Sequence, residues 1–409
     1  MAATSQGSVT YAPPIRRLPP PTQLDYDLLE AADDLAGDGR AVEAIGQVLA
    51  HLFPSAEIGD LTTTPFTFVQ GSSLVTVRIE DGELAIAVPL ATLSADGNPV
   101  AALRYVLTRV SAPGQIYQPR LRGDALSLEF RDKLTRMHPA KVLDVLRRMP
   151  PEADRVDDWL VGEFGAVPLG HAEIERLTDD EAARAYELWT RHWGEVEGLL
   201  AEAQRKRSVW FLNEVTAFAN FRIRFALPLC GHLGSRLAES SAVWNDGQVD
   251  SSKREAALAR CLRDMKAVTA DELRANLGHA SYALSPLSEG RAAIISDYFA
   301  QGGYIEQIDR FRKSGHSFEA GLALVSTYTY LLARFAWPPV VATAFMEGLA
   351  EASGKPWREA ATLLWNHCKG LVARFCGDDA EGGDDAEEEE PEGGDEGEDG
   401  DAATDGEDN

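Results

Sequence analysis

Paired cysteines are missing from this sequence. Its 409 residues hold four cysteines, Cys230, Cys261, Cys368 and Cys376, and none falls in a C-x-x-C spacing. That excludes a disulfide framework and a zinc ribbon, and it leaves small thiols suited to a reducing compartment. Histidine is also thin. The eight, His51, His138, His171, His192, His232, His279, His316 and His367, show neither the H-E-x-x-H nor the H-x-x-x-H spacing. Those spacings place two ligands on one helix face, so no metal centre is expected. Phosphate-cradling loops are absent too: there is no G-x-x-x-x-G-K-[ST], and no G-x-G-x-x-G follows a strand pattern. No cofactor is expected from these patterns.

Long apolar runs are equally scarce. The best candidate, Ala320 to Met346, is cut by Arg334 and by Pro338-Pro339. A spanning helix needs about 20 mostly apolar residues, so a buried helix pair broken at the prolines is expected, with no membrane span. Met1 to Gln23 lacks the basic-then-apolar pattern of a signal peptide and carries Pro13, Pro14, Pro19, Pro20 and Pro21. It reads as a disordered, extended lead-in in a cytoplasmic protein. The Ala-, Arg- and Gly-rich usage suits a GC-rich bacterium.

Acid is what the sequence has in excess. Its formal net charge is −26, but residues 377–409 contain 18 Asp or Glu and no Lys or Arg. The remainder therefore carries only −26 + 18 = −8. The tail has too little apolar surface to offset the entropy of ordering, so it is expected to be disordered. It suits a solubilising role, a contact for a basic partner, or a mimic of nucleic acid.

Residues 24–165 have the clearest pattern. Val42, Ile45, Leu49 and Leu52 follow helical spacing, and Pro54 ends the stretch. Phe66, Phe68 and Gln70 alternate with Thr67 and Val69. Leu74 to Glu80 and Leu84 to Leu90 are strand-like, and Asp81-Gly82 between them predicts a tight hairpin. Asn98 caps a helix that starts at Pro99. Gln115 to Arg122 and Leu126 to Phe130 predict two more strands around Gly123-Asp124. Val142, Leu143, Val145 and Leu146 open a further helix. The expected class is α+β: an antiparallel sheet with helices on one face, in the order α-βββ-α-ββ-α. With Asp81-Gly82 between apolar strands, the Asn98-Pro99 start and the Leu126-Ser127-Leu128-Glu129-Phe130 strand, this third of the chain resembles the type III secretion chaperone-like (YbjN-like) family. The resemblance implies a protein-binding, often dimeric domain without catalysis.

From 170 to 376 the pattern predicts an all-α helical domain. Thr178 with Glu181, and Thr269 with Glu272, fit capping boxes. Helices are expected near 252–267, 270–278, 287–300, 317–335 and 356–375, plus one that carries Trp210, Phe211, Phe218, Phe221 and Phe225 and ends at Pro228. That aromatic stripe, headed by Arg205, Lys206 and Arg207, is the candidate partner-binding surface; its other reading is core. Three positive charges against a body of −8 do not hold a polyanion, so direct nucleic-acid binding is not expected. Cys230-Gly231-His232 and Ser314-Gly315-His316 read as turns, and no catalytic set stands out.

The expectation is a non-enzymatic adaptor or chaperone-like protein that binds another protein and can form a homodimer through residues 24–165. Two alternatives remain open: a regulator of a basic or nucleic-acid-binding partner acting through the tail, and an enzyme whose site is assembled from scattered residues.

Overall fold

In the computed structural model the chain is a mixed α+β protein with an antiparallel sheet followed by a helical region. The structure describes residues 9–19, 21, 24–110, 114–300 and 302–377. The expected disordered tail lies outside the described residues from 378 onward.

Two helices come first, α1 (Asp27–Gly37) and α2 (Ala41–Leu52). Three strands follow: β1 (Phe66–Gly71), β2 (Ser73–Glu80) and β3 (Glu83–Thr92). Next come α3 (Pro99–Val110), β4 (Gln118–Arg122), β5 (Ala125–Lys133), the long α4 (Pro139–Phe164) and β6 (Val167–Pro168). The strand pattern is read directly from alternation. Along β2, Val75, Val77 and Ile79 are buried while Leu74 and Arg78 are exposed. β3 is the central strand and is buried almost throughout. The β2–β3 turn has φ 52° at Asp81 and 73° at Gly82, the double positive φ of a tight two-residue hairpin. Asn98 Oδ1 accepts the Ala101 N–H at 3.2 Å and caps α3 as expected.

α4 runs through Pro150 and Pro151, where a break would be the simple expectation. Its apolar stripe continues unbroken on both sides. Val145, Met149, Ala153, Val156 and Leu160 are all buried against the sheet.

The remaining elements are β7 (Glu175–Arg176), α5 (Asp179–Lys206), α6 (Val209–Ala226), α7 (Gly231–Asn245), α8 (Ser251–Ala267), α9 (Ala270–Ala275), β8 (Gly278–His279), β9 (Ser281–Tyr282) and β10 (Ser288–Glu289). They end with α10 (Ala292–Phe299), α11 (Gly303–Lys313), α12 (Ser317–Arg334), β11 (Phe335–Ala336), α13 (Pro339–Ala352) and α14 (Trp357–Phe375). The Pro338-Pro339 break separates α12 from α13 as predicted. Among the described residues no helix is long and apolar enough to cross a membrane.

The structure departs from the sequence reading in its strands, its helices and its N-terminal segment. The helical region contains short strands, and one of them joins the sheet. β9 pairs with β1, Gln70 opposite Tyr282 and Gly71 opposite Ser281, so the sheet runs β4-β5-β3-β2-β1-β9. The Gln70 amide fixes this register by bonding both the N–H and the C=O of Leu284 at 3.0 Å. α1, α7 and α11 fall where no helix was expected, and Gly231 and His232, read as a turn, open α7. The Pro-rich lead-in is also not a loose end: residues 9–19 run as a strap over the helices. Val9 and Ile15 are buried in the helical core. Ile15 N donates to Ala226 O at 2.8 Å, and Gly354 N donates to Val9 O at 2.9 Å.

Two hydrophobic cores result, one under the sheet and one among the helices. α4 serves both regions, since its far face packs on α7. Gly162 is required there, because a methyl at that position would overlap the His232 ring.

Candidate functional site

A cavity of about 690 Å³ opens where the two cores meet. Its size lies within the range of small-molecule and cofactor sites. α4 supplies Asp154, Arg155 and Asp158 to one wall, and Ser72 from the β1–β2 turn lies beside them. Arg16 from the strap, Asn220 and Arg224 from the end of α6, and Arg334 from the end of α12 form the other wall. Tyr282 of β9 and Cys230 at the start of α7 complete the lining.

The acidic wall is built on a close approach of α4 to the β1–β2 turn. Gly71 takes φ 65°, and any side chain there would overlap the Asp154 carboxylate. That approach lets Asp154 Oδ1 accept the Ser72 N–H at 2.7 Å and the Ser72 hydroxyl at 3.0 Å. Asp157 Oδ2 accepts the hydroxyls of Ser72 and Ser73 at 3.1 and 2.9 Å, and His171 Nε2 lies 3.4 Å from the same oxygen. Burial raises all three carboxyls. Asp158 is pushed up to about 7, first by burial and then by the charge of Asp154, against a hydrogen bond from the Gly231 N–H. Asp157 is raised well above the carboxylate range by burial and by Asp158 and Asp154. Asp154 is raised by burial and only partly offset by Ser72.

The basic wall has the opposite problem. Arg224 Nε donates to Asn220 Oδ1 at 2.7 Å, and Arg16 Nη1 donates to the Arg224 carbonyl at 3.0 Å. Among the described residues none of Arg16, Arg224 and Arg334 forms an ion pair. Arg17 at the rim does, with Glu175 at 2.6 Å. Both Arg16 and Arg224 keep some surface open to the cavity but sit deep below the molecular surface. Burial lowers Arg224 to about 10, and the positive charges of Arg16, Arg334 and Arg155 push the same way. The guanidinium is still charged at pH 7. The charges that act on it most strongly are cations, so this wall carries positive charge without an ion pair and faces Asp154 and Asp158 across the cavity.

Such a wall suits an anion, because guanidinium groups bind carboxylate and phosphate oxygens through paired N–H donors. Asp154 and Asp158 are engaged in hydrogen bonds that tie α4 to the β1–β2 turn and to α7. Burial pushes the Cys230 thiol up to about 11, so it stays protonated and is a poor nucleophile at neutral pH. His232, two residues on, pairs with Glu163 at 2.8 Å. Among the described residues no group of three or more His, Cys, Asp or Glu is placed to hold a metal ion.

The residues singled out from the sequence fall elsewhere, with one exception. Phe211 and Phe218 are closed into the helical core. Trp210 packs on Phe311, ring centres 4.5 Å apart. Phe221 packs on Tyr330 and is the one member of the stripe that lines the cavity. The basic patch is largely taken up internally. Arg205 Nε donates to Glu202 at 2.9 Å, and Lys206 bridges Glu202 and Glu319 while covering the Phe211 ring at 4.6 Å. Arg207 ends α5 with a left-handed φ of 52°.

The arginines and aspartates of the cavity were not found from sequence. Arg16, Arg224 and Arg334 come from three distant segments, and no spacing connects them. The acidic wall left one trace: Asp154, Asp157 and Asp158 recur at helical spacing beside the buried stripe of Ala153, Val156 and Leu160. No protein-family model matches the chain, and no curated protein matches it.

Proposed function

We propose that this chain is a non-enzymatic binding protein, a cytoplasmic adaptor, that receives an acidic segment of another protein in the junction cavity. One observation carries the reading: Arg16, Arg224 and Arg334 converge on the cavity without an ion pair among the described residues. A buried guanidinium without a counter-charge is costly to the fold, and a ligand carboxylate would remove that cost on binding. The chaperone-like reading of residues 24–165 agrees with a protein ligand rather than a substrate. The engaged state of Asp154 and Asp158 and the protonated Cys230 favour binding over catalysis.

The test uses a fluorescent Glu-rich peptide and a chain ending at Gly377. That truncation removes no described element, and it removes the chain's own carboxylate-rich segment. The expected result is saturable binding that weakens steeply with salt and is lost when the peptide's Glu residues are replaced by Gln. Arg224→Met weakens binding by about tenfold or more, in keeping with loss of a charge-assisted hydrogen bond. Equal affinity for the Glu and Gln peptides, or no effect of Arg224→Met, rejects the reading.

A further inference from the structure

The acidic wall of the same cavity narrows the kind of segment it fits, an inference that rests on the anion-binding reading. We propose that the cavity takes a segment of mixed charge, whose carboxylates seat on Arg16, Arg224 and Arg334 while a neighbouring Lys or Arg side chain seats on Asp154 and Asp158.

The first observation is that both signs of charge line one cavity and stay apart. Arg16, Arg224 and Arg334 share it with Asp154 and Asp158, yet among the described residues no ion pair joins the two sets. A charge on the open surface is satisfied by water, whereas Arg16, Arg224 and the two aspartates sit deep enough for a missing partner to be costly. Each is held on its own side by an uncharged partner. Asn220 Oδ1 accepts from Arg224 Nε, and the Arg224 carbonyl accepts from Arg16. Asp154 Oδ1 accepts both Ser72 donors, and Asp158 accepts the Gly231 N–H. The separation is built into the fold, which is the pre-organisation a binding site needs.

The second observation is that the acidic wall has acceptor capacity left. Both Ser72 donors go to Oδ1 of Asp154, which leaves Oδ2 to a ligand. A carboxylate offers about four lone-pair positions, so a cation is accepted without breaking the bonds to Ser72 and Gly231. The cations that act on these aspartates are engaged elsewhere. Arg155 pairs with Glu152 at 3.1 Å, and Arg176 donates to the Ala275 carbonyl at 2.9 Å.

The third observation is the surface that joins the walls. α6 carries Asn220 and Arg224, and α7 opens at Gly231, the residue bonded to Asp158. The link between them runs through Leu227, Pro228 and Leu229, all of which line the cavity. This apolar strip suits the aliphatic stem of a Lys or Arg side chain whose charged end reaches the aspartates.

A ligand cation on this wall has a pH signature. The Asp158 carboxyl is pushed up to about 7, and a cation beside it favours the ionised form. Affinity for the cation therefore rises between pH 6 and pH 8, by up to about tenfold for one proton released. Burial keeps the Cys230 thiol and the Tyr282 hydroxyl protonated across that window, and it lowers His171 and His279. Asp154 and Asp157 are raised with Asp158, so a variant at Asp158 is needed to assign the effect.

The experiment measures binding of two fluorescent Glu-rich peptides to the full chain. They differ at one position, Lys in one and norleucine in the other, so that the stem is kept and only the charge changes. The Lys peptide is expected to bind about tenfold more tightly at pH 8, with the advantage narrowing at pH 6. Asp158→Asn should remove the advantage and leave binding of the norleucine peptide in place, whereas Arg224→Met should weaken both peptides. Equal affinity for the two peptides at pH 8, with both dependent on Arg224, overturns the mixed-charge ligand and leaves the cavity as an anion site. The net charge of −26 attracts any added Lys, so an advantage that persists in Asp158→Asn also overturns it. In the unaltered chain, an advantage that is the same at pH 6 and pH 8 has the same force and needs no variant to fold. Binding of neither peptide removes the anion-site reading and this inference with it.

Discussion

At the residue scale, the carboxyl of Asp158 couples stability to pH. Its folded value is about 7, raised by burial and by Asp154, whereas an unfolded Asp titrates near 3.9. Between those values the folded state holds a proton that the unfolded chain has lost. The stabilisation is therefore fully present below about pH 4 and is lost as pH rises through about 7. Asp154 and Asp157 are raised as well and act in the same direction. The loss attributable to Asp158 is on the order of 2–4 kcal/mol. We predict that the melting temperature falls from pH 5 to pH 8 and that Asp158→Asn flattens this slope; thermal melts at the two pH values decide it, and an unchanged slope in the variant rules it out. Two glycines offer a second comparison. Gly82 has φ 73° with nothing around it, so Gly82→Val is predicted to cost about 1–2 kcal/mol through backbone strain alone. Gly71 has a similar φ but faces the Asp154 carboxylate. Gly71→Ala should cost more, about 2–4 kcal/mol, since the carboxylate must abandon Ser72. Urea denaturation of both variants measures the difference, and equal costs would show that the approach of α4 to the turn is soft.

At the element scale, β9 changes what residues 24–165 can do alone. It covers the outer edge of β1, and Ala283 and Leu284 pack against the sheet core. A fragment of residues 24–168 keeps the core residues of β1 to β5 and of α4, so it is predicted to fold with a mixed helix and strand spectrum. It should also self-associate, because an uncovered strand edge with adjacent apolar surface pairs with another copy. Sedimentation velocity over a range of concentrations tests this; a monomer at every concentration counts against it. How much of the fold could be read in advance follows from the length of each pattern. β1, β2, β3 and β5 were legible because alternation over several residues and the Asp81-Gly82 turn agree. α5 and α9 were legible from Thr178 with Glu181 and Thr269 with Glu272, whose hydroxyls cap the helices at 3.3 and 3.2 Å. α11 was not legible, since Ile305 and Ile308 are its only buried residues. The two-residue strands carry no pattern at all. The β1–β9 pairing depends on Gln70 meeting Leu284, 214 positions away. The candidate site was illegible for the same reason: each wall is assembled by contacts remote in sequence, and a lone arginine on a helix end looks like surface.

At the scale of the whole molecule, the two cores share an element. α4 is packed on the sheet on one side and on α7 on the other, and Arg109 ties α3 to both through Glu152 and Glu239. We predict a single calorimetric transition whose calorimetric and van't Hoff enthalpies agree. Gly162→Val drives a side chain into His232 and should split the transition in two, the sheet region and the helical region melting apart. Two transitions already present in the unaltered protein would contradict this. The strap of residues 9–19 imposes an order of assembly on top of this coupling. It leaves the ribosome before the segments it packs on, since its seat is made by Arg222 to Ala226 and by Ser353 to Lys355. At about 5–20 residues per second those last residues follow roughly 20–70 s later. Ile15 and Arg16 lack their backbone partners until Ala226 has followed, and Val9 lacks its own until Lys355 has followed. The cavity wall is complete only once Arg334 has followed, and a nascent chain stalled before α12 would carry the sheet but an arginine wall that lacks Arg334.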